Sequence, residues 1–279
     1  MCPMELREKE AKLETILREL YPVIVAFSGG VDSSYLAYKA YAVLGSEKVL
    51  AVTAESPSVP SHQRRMALEV AAQFGFPHEV IHTREVEKEE YRDNPPNRCY
   101  FCKDELYSML ASIARERRFA FVVDGLNADD LGDFRPGRKA AAEQGVRSPL
   151  VEAGLHKEEI RVLSRQAGLP TADQQASACL SSRFPYGTRI TEEKLRIVDQ
   201  GEEALRQMGF RSFRVRHHEE IVRLEFGPED LLRALNLEMA RRLATVFKGL
   251  GYKFVTIDLE GYRTGSLNEV LVTHIPSKS

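Results

Sequence analysis

The sequence predicts an α/β fold, a doubly wound parallel sheet followed by a smaller α+β domain, on three observations. Short apolar, β-branched runs alternate with helical stretches through the first 168 residues, the pattern of a parallel sheet covered on both faces. A pair of glycines, Gly29 and Gly30, separates the first run from its helix. Residues 169–190 then lose all periodicity, and beyond them the order of elements changes. The expected division is a first domain at 1–168, a linker or active-site loop at 169–190 and a second domain at 191–279.

Taken in order, Leu6, Leu13, Ile16, Leu17 and Leu20 give residues 5–20 one apolar helical face. Residues 21–27 read as a buried strand, 28–34 as a loop and 32–44 as a helix. Residues 48–55 form a second strand that ends in the polar turn 56–60. Helix 61–75 stops at Gly75, and residues 78–82 form a third strand. The charged stretch 83–98 contains Asn94-Pro95-Pro96-Asn97 and is read as an exposed loop. A helix then runs to about Arg118, followed by a buried strand at 119–124 and a loop at 125–137. Helix 137–144, the turn Ser148-Pro149-Leu150 and helix 156–168 close the first domain. The second domain is expected to hold helix 191–208, strands near 212–216 and 220–226, helix 229–247 and strand 252–258.

Composition narrows the function classes. A hydrophobic content of 43% supports a packed core. No apolar run approaches the roughly 20 residues of a membrane span. The N-terminal 20 residues are charged and amphipathic, unlike a signal peptide, so a cytoplasmic protein is expected, with no membrane partner. With 39 basic and 41 acidic side chains intermixed, the chain lacks the basic surplus of a nucleic-acid binder. In a reducing compartment its four cysteines read as ligands or reactive thiols rather than disulfides, with no role given to Cys2.

The glycine pair lies within Ser28-Gly29-Gly30-Val31-Asp32-Ser33-Ser34. Strand, glycine turn and helix N-terminus together let backbone N–H groups and the positive end of a helix dipole converge on one anion. The hydroxyls of Ser28, Ser33 and Ser34 add donors. No Gly-Lys-Ser/Thr ends the loop and a third glycine is missing, which excludes the Walker A and dinucleotide fingerprints. The pattern Ser-Gly-Gly-Val-Asp-Ser resembles instead the PP-loop of ATP pyrophosphatases. That resemblance implies that ATP is cleaved between its α- and β-phosphates while AMP passes to a substrate oxygen. Ligands of such sheets bind beyond the carboxyl ends of the strands, which puts Ser28–Ser34, Glu55, Ser56 and the loop after His82 on one rim. In the resembling family the end of the second strand holds adenosine, which implicates Glu55 and Ser56. Asp124-Gly125-Leu126-Asn127 resembles the family's second nucleotide-contacting loop, implicating Gly125 and Asn127. Residues 124–137 carry four carboxylates on the same rim, which suits Mg²⁺ with bound phosphates; a solvated acidic loop is the plainer alternative.

Cys99 and Cys102 have the C-x₂-C spacing that lets two thiolates chelate one metal centre, and no second such pair follows. If the loop carrying Cys179 folds back over the rim, three thiolates could converge. A 4Fe–4S cluster with one open iron, a zinc site, and Cys179 acting alone as a nucleophile beside Arg183 all remain open on spacing. In Phe213-Arg214-Val215-Arg216, strand alternation puts Arg214 and Arg216 on one face, where an anion or carboxylates must separate them. Glu202, in the preceding helix, is placed to orient an arginine.

Ser28–Ser33, Arg135-Pro136-Gly137, Ser148-Pro149-Leu150, the block Ala178-Cys179-Leu180-Ser181-Ser182-Arg183-Phe184-Pro185-Tyr186-Gly187-Thr188, and Arg214-Val215-Arg216 resemble the LarE family. These are PP-loop sulfur transferases of nickel-pincer nucleotide synthesis, which mature lactate racemase, and the likeness runs over nearly the whole chain. The resemblance implies that ATP adenylylates a carboxylate of pyridinium-3,5-biscarboxylic acid mononucleotide and that sulfur then displaces AMP. It gives Asp32, Lys103 and Cys179 catalytic roles, with Lys103 neutralising the adenylate. Ser182, Arg183, Glu202, Arg214 and Arg216 are implied to hold the substrate phosphate or its surroundings. Some members have one cysteine at the position of Cys179 and sacrifice its sulfur. With Cys99 and Cys102 added, this chain looks like the three-cysteine subtype, in which Cys99, Cys102 and Cys179 bind a 4Fe–4S cluster fed by an external sulfur donor. ATP and Mg²⁺ are the other implied cofactors, residues 191–279 the implied substrate-binding and oligomerisation domain, and a hexamer the implied assembly. The rivals are a PP-loop tRNA thiolase, which the charge balance disfavours, an ammonia-using synthetase, which has no need of three thiols, and a nucleotide-gated metal sensor.

Overall fold

A computed structural model describes residues 3–132, 136–175 and 177–263. Cys2, the Asp133–Arg135 part of the carboxylate loop and residues 264–279 lie outside the described residues. The chain divides into two compact units, Met1–Tyr91 with Asn97–Ser177, and Arg92–Pro96 with Ala178–Ser279.

The first unit opens with α1 (Pro3–Leu20), β1 (Val23–Ala26), α2 (Val31–Leu44), β2 (Val49–Glu55), α3 (Ser61–Phe74) and β3 (His78–His82). After α4 (Glu89–Arg92) come α5 (Arg98–Arg117), β4 (Phe121–Val123), α6 (Pro136–Glu143), α7 (Pro149–Glu152) and α8 (Lys157–Gln166). The four strands are all parallel in the order β3-β2-β1-β4. Alternation within the strands sorts the helices onto two faces. Val23, Val25, Val49, Ala51 and Val123 pack with Leu13, Leu17, Leu36, Val70 and Ile160, the apolar sides of α1, α2, α3 and α8. Ile24, Leu50, Val52 and Val122 pack with Tyr107, Leu110, Ala114 and Ala141, from α5 and α6. Each fully buried aliphatic side chain here contributes ~1.5–3 kcal/mol of burial, and losing either face would expose a whole row of them. The doubly wound parallel sheet is thus as the alternating pattern predicts. Its order reverses between β1 and β4, so the Ser28–Ser34 loop leaves the sheet at the topological switch point, where ligands of such folds bind.

The second unit contains α9 (Glu192–Gln207), β5 (Phe213–His218), β6 (Ile221–Phe226), α10 (Pro228–Ala234), α11 (Leu237–Gly249) and β7 (Phe254–Ile257). Its mixed sheet runs β5-β6-β7, with β5 antiparallel and β7 parallel to β6. Gly201 lets α9 close on α11, because a Cβ there would lie 2.7 Å from the Phe247 ring.

Three local expectations are corrected. Residues 83–98 are no exposed loop: they hold a 3₁₀ turn at Glu85–Glu87, α4 and the start of α5, and bury Glu85, Tyr91, Asn94 and Arg98. Asn94, at φ 53°, donates from Nδ2 to the Pro185 carbonyl at 2.7 Å, and its own carbonyl accepts from the Gly187 N–H. These bonds tie residues 92–96 to the second unit, a long-range pairing invisible to composition. The single helix expected at 229–247 is two, because the Asn236 side chain caps a new N-terminus at Glu238 and Met239. The turn at Ser148-Pro149-Leu150 opens α7, with Pro149 at its first position. Among the described residues no helix is long and apolar enough to cross a membrane.

Candidate active site

The phosphate-type loop is built by close approach. Gly29 has φ +74°, and a Cβ on it would lie 2.9 Å from the backbone N of Ala67 in α3. Gly125, just past β4, leaves room for the backbone of Ser33 in the first turn of α2, where a Cβ would sit 2.8 Å from its N. The hydroxyls of Ser28 and Ser33 lie 3.0 Å apart, and Ser33 Oγ accepts from the Ser28 N–H while lying 3.2 Å from the Gly30 carbonyl, to which it donates. Gln63 Nε2 donates to the Ser28 carbonyl at 3.0 Å. Ser34 is fully buried and its hydroxyl has no partner.

Asp32, in the first turn of α2, receives the Lys157 ammonium on Oδ2 at 2.5 Å, while its buried Oδ1 has no partner. Burial raises the Asp32 carboxyl above its ordinary range, and Lys157 opposes that rise. Sequence reasoning passed over Lys157, which lies 125 residues away with no motif around it.

At the end of β2, Glu55 pairs with Arg64. Ser56 Oγ and Ser58 Oγ donate to Oε1 of the buried Glu85 at 2.5 and 2.7 Å. The acidic loop after β4 is not an open cluster of carboxylates. Asp124 accepts from Tyr107 and Ser148, and Asp129 accepts from the Lys157 N–H and bonds the His156 ring, which holds Asp129 below the usual carboxylate range. Asn127 is buried, its N–H donating to Asp130 and its Oδ1 accepting from Asp129. Of the carboxylates expected to receive Mg²⁺, Asp124, Asp129 and Asp130 therefore already shape the loop, while Oδ1 of Asp32, in the first turn of α2, is a buried carboxylate oxygen with no partner.

Cys99 and Cys102 stand on the first two turns of α5, Cys99 exposed and Cys102 half-buried, and neither is in a disulfide. Lys103 follows Cys102 on α5, and its ammonium sits 5.4 Å from the Tyr107 ring centre. The Tyr107 hydroxyl, then Cys102, Asp124 and Cys99, keep that ammonium protonated well above its usual range. Gly137 packs against the Lys103 stem.

In the second unit one cluster unites Cys179, Ser182, Arg183, Glu202, Arg214 and Arg216. Arg183 is 1% exposed and makes a two-pronged ion pair with Glu202 at 2.7 and 3.1 Å. Its third nitrogen donates to the carbonyls of Ala178 and Cys179 and to Ser182 Oγ. Burial pushes the Glu202 carboxyl up, but Arg183, Arg214 and Arg206 outweigh it and hold it below the usual range. Arg216 donates to the Ser182 carbonyl at 2.9 Å and to the buried Glu225 at 2.8 Å. Arg214 lies flat on Tyr262, 4.4 Å from the ring centre, and donates to its hydroxyl. Burial and the neighbouring Arg183 both lower the Arg214 guanidinium. The 3₁₀ turn Leu180–Arg183 is thus clamped onto the arginine face of β5, with the half-buried Cys179 thiol at its start.

The first unit holds Cys99, Cys102 and Lys103, and the second holds Cys179. Among the described residues no three His, Cys, Asp or Glu side chains gather as a metal-binding group.

Comparison with known proteins bears on each of the two units. A family model described as NAD synthase matches residues 9–101, the stretch that carries the Ser28–Ser34 loop. An uncharacterized protein of Synechocystis sp. is 44% identical over 94% of this chain and 98% of its own length. An uncharacterized protein of Methanocaldococcus jannaschii is 29% identical over 94% of this chain and 100% of its own. The pyridinium-3,5-bisthiocarboxylic acid mononucleotide synthase of Lactiplantibacillus plantarum is 37% identical over 95% of this chain and 96% of its own. Likeness at that level, spanning the loop at the switch point and the Cys179 clamp alike, makes this chain a member of the LarE family.

Proposed function

We propose that this chain is an ATP-dependent sulfur transferase that converts a carboxylate of pyridinium-3,5-biscarboxylic acid mononucleotide to a thiocarboxylate, releasing AMP and pyrophosphate. The observation that carries the reading is one chain holding both a phosphate-type loop at the switch point and a thiol clamped onto an arginine strand. A carboxylate is a poor electrophile. Its oxygen attacks the α-phosphorus of ATP, the bond to the bridging oxygen breaks and pyrophosphate leaves. A sulfur nucleophile then attacks the acyl carbon, and AMP departs with the C–O electron pair. The N–H groups of Ser28–Ser34 favour the charge that develops on pyrophosphate, Mg²⁺ at Asp32 would share it, and Lys103 neutralises the adenylate. Glu55, Ser56, Gly125 and Asn127 border the nucleotide, while Arg214 and Arg216 face the substrate phosphate.

Cys99 and Cys102 suit a soft metal centre: two thiols one helical turn apart, beside the positive end of α5 and the Lys103 cation, which favour thiolates. With Cys179 as third ligand they would hold a 4Fe–4S cluster, which when bound supplies an open iron position for sulfur. The alternative source is Cys179 itself: its thiolate would displace AMP from the acyl carbon, and loss of its Cα proton to a base with cleavage of the Cβ–S bond would leave the thiocarboxylate and dehydroalanine. Anaerobic purification with iron and sulfide analysis, run on the parent and on Cys99→Ala, separates the two. A parent that holds iron and turns over repeatedly while Cys99→Ala loses both supports the cluster. A colourless parent whose Cys179 has become dehydroalanine after one turnover sinks it. Light scattering on the same samples tests for the hexamer.

A further inference from the structure

We infer that Glu85 is a specificity-determining residue of the nucleotide site. By taking the protons of Ser56 and Ser58 it leaves the Ser56 hydroxyl able only to accept, which selects the exocyclic amine of adenine over the carbonyl of a 6-oxopurine. The inference rests on the ATP-using reading above and names the group that reads the base. Glu85 stands in the 3₁₀ turn after β3 and is 1% exposed. Its Oε1 receives both hydroxyls, Ser56 Oγ at 2.5 Å and Ser58 Oγ at 2.7 Å. Its Oε2 is buried with no partner, so the carboxylate is spent wholly on the Ser56–Ser58 turn.

A serine hydroxyl has one proton and two lone pairs, and an ionised carboxylate can only accept. Ser56 Oγ gives its proton to Glu85, and one of its lone pairs takes the Ser58 N–H at 3.1 Å. Ser58 is buried, its hydroxyl 2.9 Å from that of Ser56 and turned onto the same carboxylate oxygen. The half-buried Ser56, just past the end of β2, is left with one lone pair to offer. The Val59 N–H donates to the Ser56 carbonyl at 3.1 Å, and the Thr83 N–H donates to the Glu55 carbonyl at 3.0 Å, so the turn is tied to the segment that leads into Glu85. A ribose hydroxyl meets a serine of either polarity, because it donates and accepts alike. An amine conjugated with a purine ring only donates, so it is the group that a fixed acceptor distinguishes. A carbonyl in its place sets oxygen against oxygen with no proton between them. A carboxylate is costlier to bury than a neutral acceptor, but a glutamine amide can present its NH₂ to the serines and turn their protons outward.

Calorimetric binding of AMP, of IMP and of magnesium pyrophosphate tests the assignment without any sulfur acceptor. The parent should bind AMP about tenfold or more tighter than IMP. Glu85→Leu frees the serine protons, so the preference should fall to within about threefold while pyrophosphate stays within about twofold of the parent. Ser56→Ala deletes the acceptor and leaves Ser58 on Glu85; it should lower the preference in the same way, and it carries the test if Glu85→Leu does not fold. A preference unchanged in these variants overturns the assignment. Equal loss of all three ligands marks a purely structural role and overturns it as well. A parent that binds pyrophosphate but holds AMP and IMP alike overturns Glu85 alone; a parent that binds none of the three overturns the ATP reading and Glu85 with it.

Discussion

Arg183→Met is the sharpest test of how the Cys179 loop is held. The substitution keeps most of the apolar stem and deletes the guanidinium, so packing changes little and charge changes completely. Glu202, 1% exposed, would then keep only Arg206 at 3.5 Å in place of two short bonds. Breaking one side of a buried ion pair costs ~3–5 kcal/mol, because the surviving charge stays desolvated. Three further bonds, to Ala178, Cys179 and Ser182, go with it. For a unit of this size the loss corresponds to a fall in Tm of roughly 13–22 °C. Urea unfolding of the parent, Arg183→Met, Glu202→Leu and the double variant closes the cycle. The double variant should recover much of the stability, since no lone charge remains, yet it should not recover sulfur transfer. A single-variant cost below ~1 kcal/mol, the range of an exposed pair, would refute the claim that this ion pair anchors the loop.

Other outcomes follow from the same geometry. Gly125→Ala places a Cβ 2.8 Å from the Ser33 N, so α2 or the β4 turn must move. A cost of ~1–3 kcal/mol with weakened ATP binding is expected, and wild-type values for both would show that the approach is not tight. His78 is lowered by burial and bonds Thr53 at 2.8 Å, so its neutral form is the folded one. A depressed histidine contributes stability above its ordinary pKa of about 6.5, and that contribution is lost as pH falls through the lowered value. The urea midpoint should therefore drop between about pH 7 and 5 and drop less in His78→Gln; identical slopes would count against it.

The first unit was legible because its signals are local. Each strand is a β-branched run, each helix shows its apolar spacing, and Ser28-Gly29-Gly30 announces its own turn. What escaped depends on partners distant in sequence. Asn94 looked like loop composition, yet it is buried because the carbonyls of Phe184 and Pro185 accept its side chain. Lys157 reads as one more helix lysine until Asp32 is seen beside it. The carboxylates around Asp129 looked like a metal loop because composition cannot show that a His156 ring and a backbone N–H already hold that side chain. The break at Leu235-Asn236 was readable in principle, since asparagine before Leu-Glu is a capping signal inside a long helical pattern.

The arginines of the second unit, which sequence treats as one group, divide by what they already hold. All three nitrogens of Arg183 are engaged with Glu202 and the 178–182 backbone and hydroxyl, so its work is to fix the thiol-bearing turn. Arg216 bridges Ser182 to Glu225, and Glu225 also takes Arg223. Arg214 differs: its neighbours include Arg183 and Arg216, it rests on an aromatic ring, and burial with like charge disfavours its cationic form. A cation so placed gains most from an incoming dianion, because the anion relieves both the desolvation and the repulsion. Under the proposed function, Arg214 is the arginine that receives the substrate phosphate, with Arg183 and Arg216 holding the turn beside it.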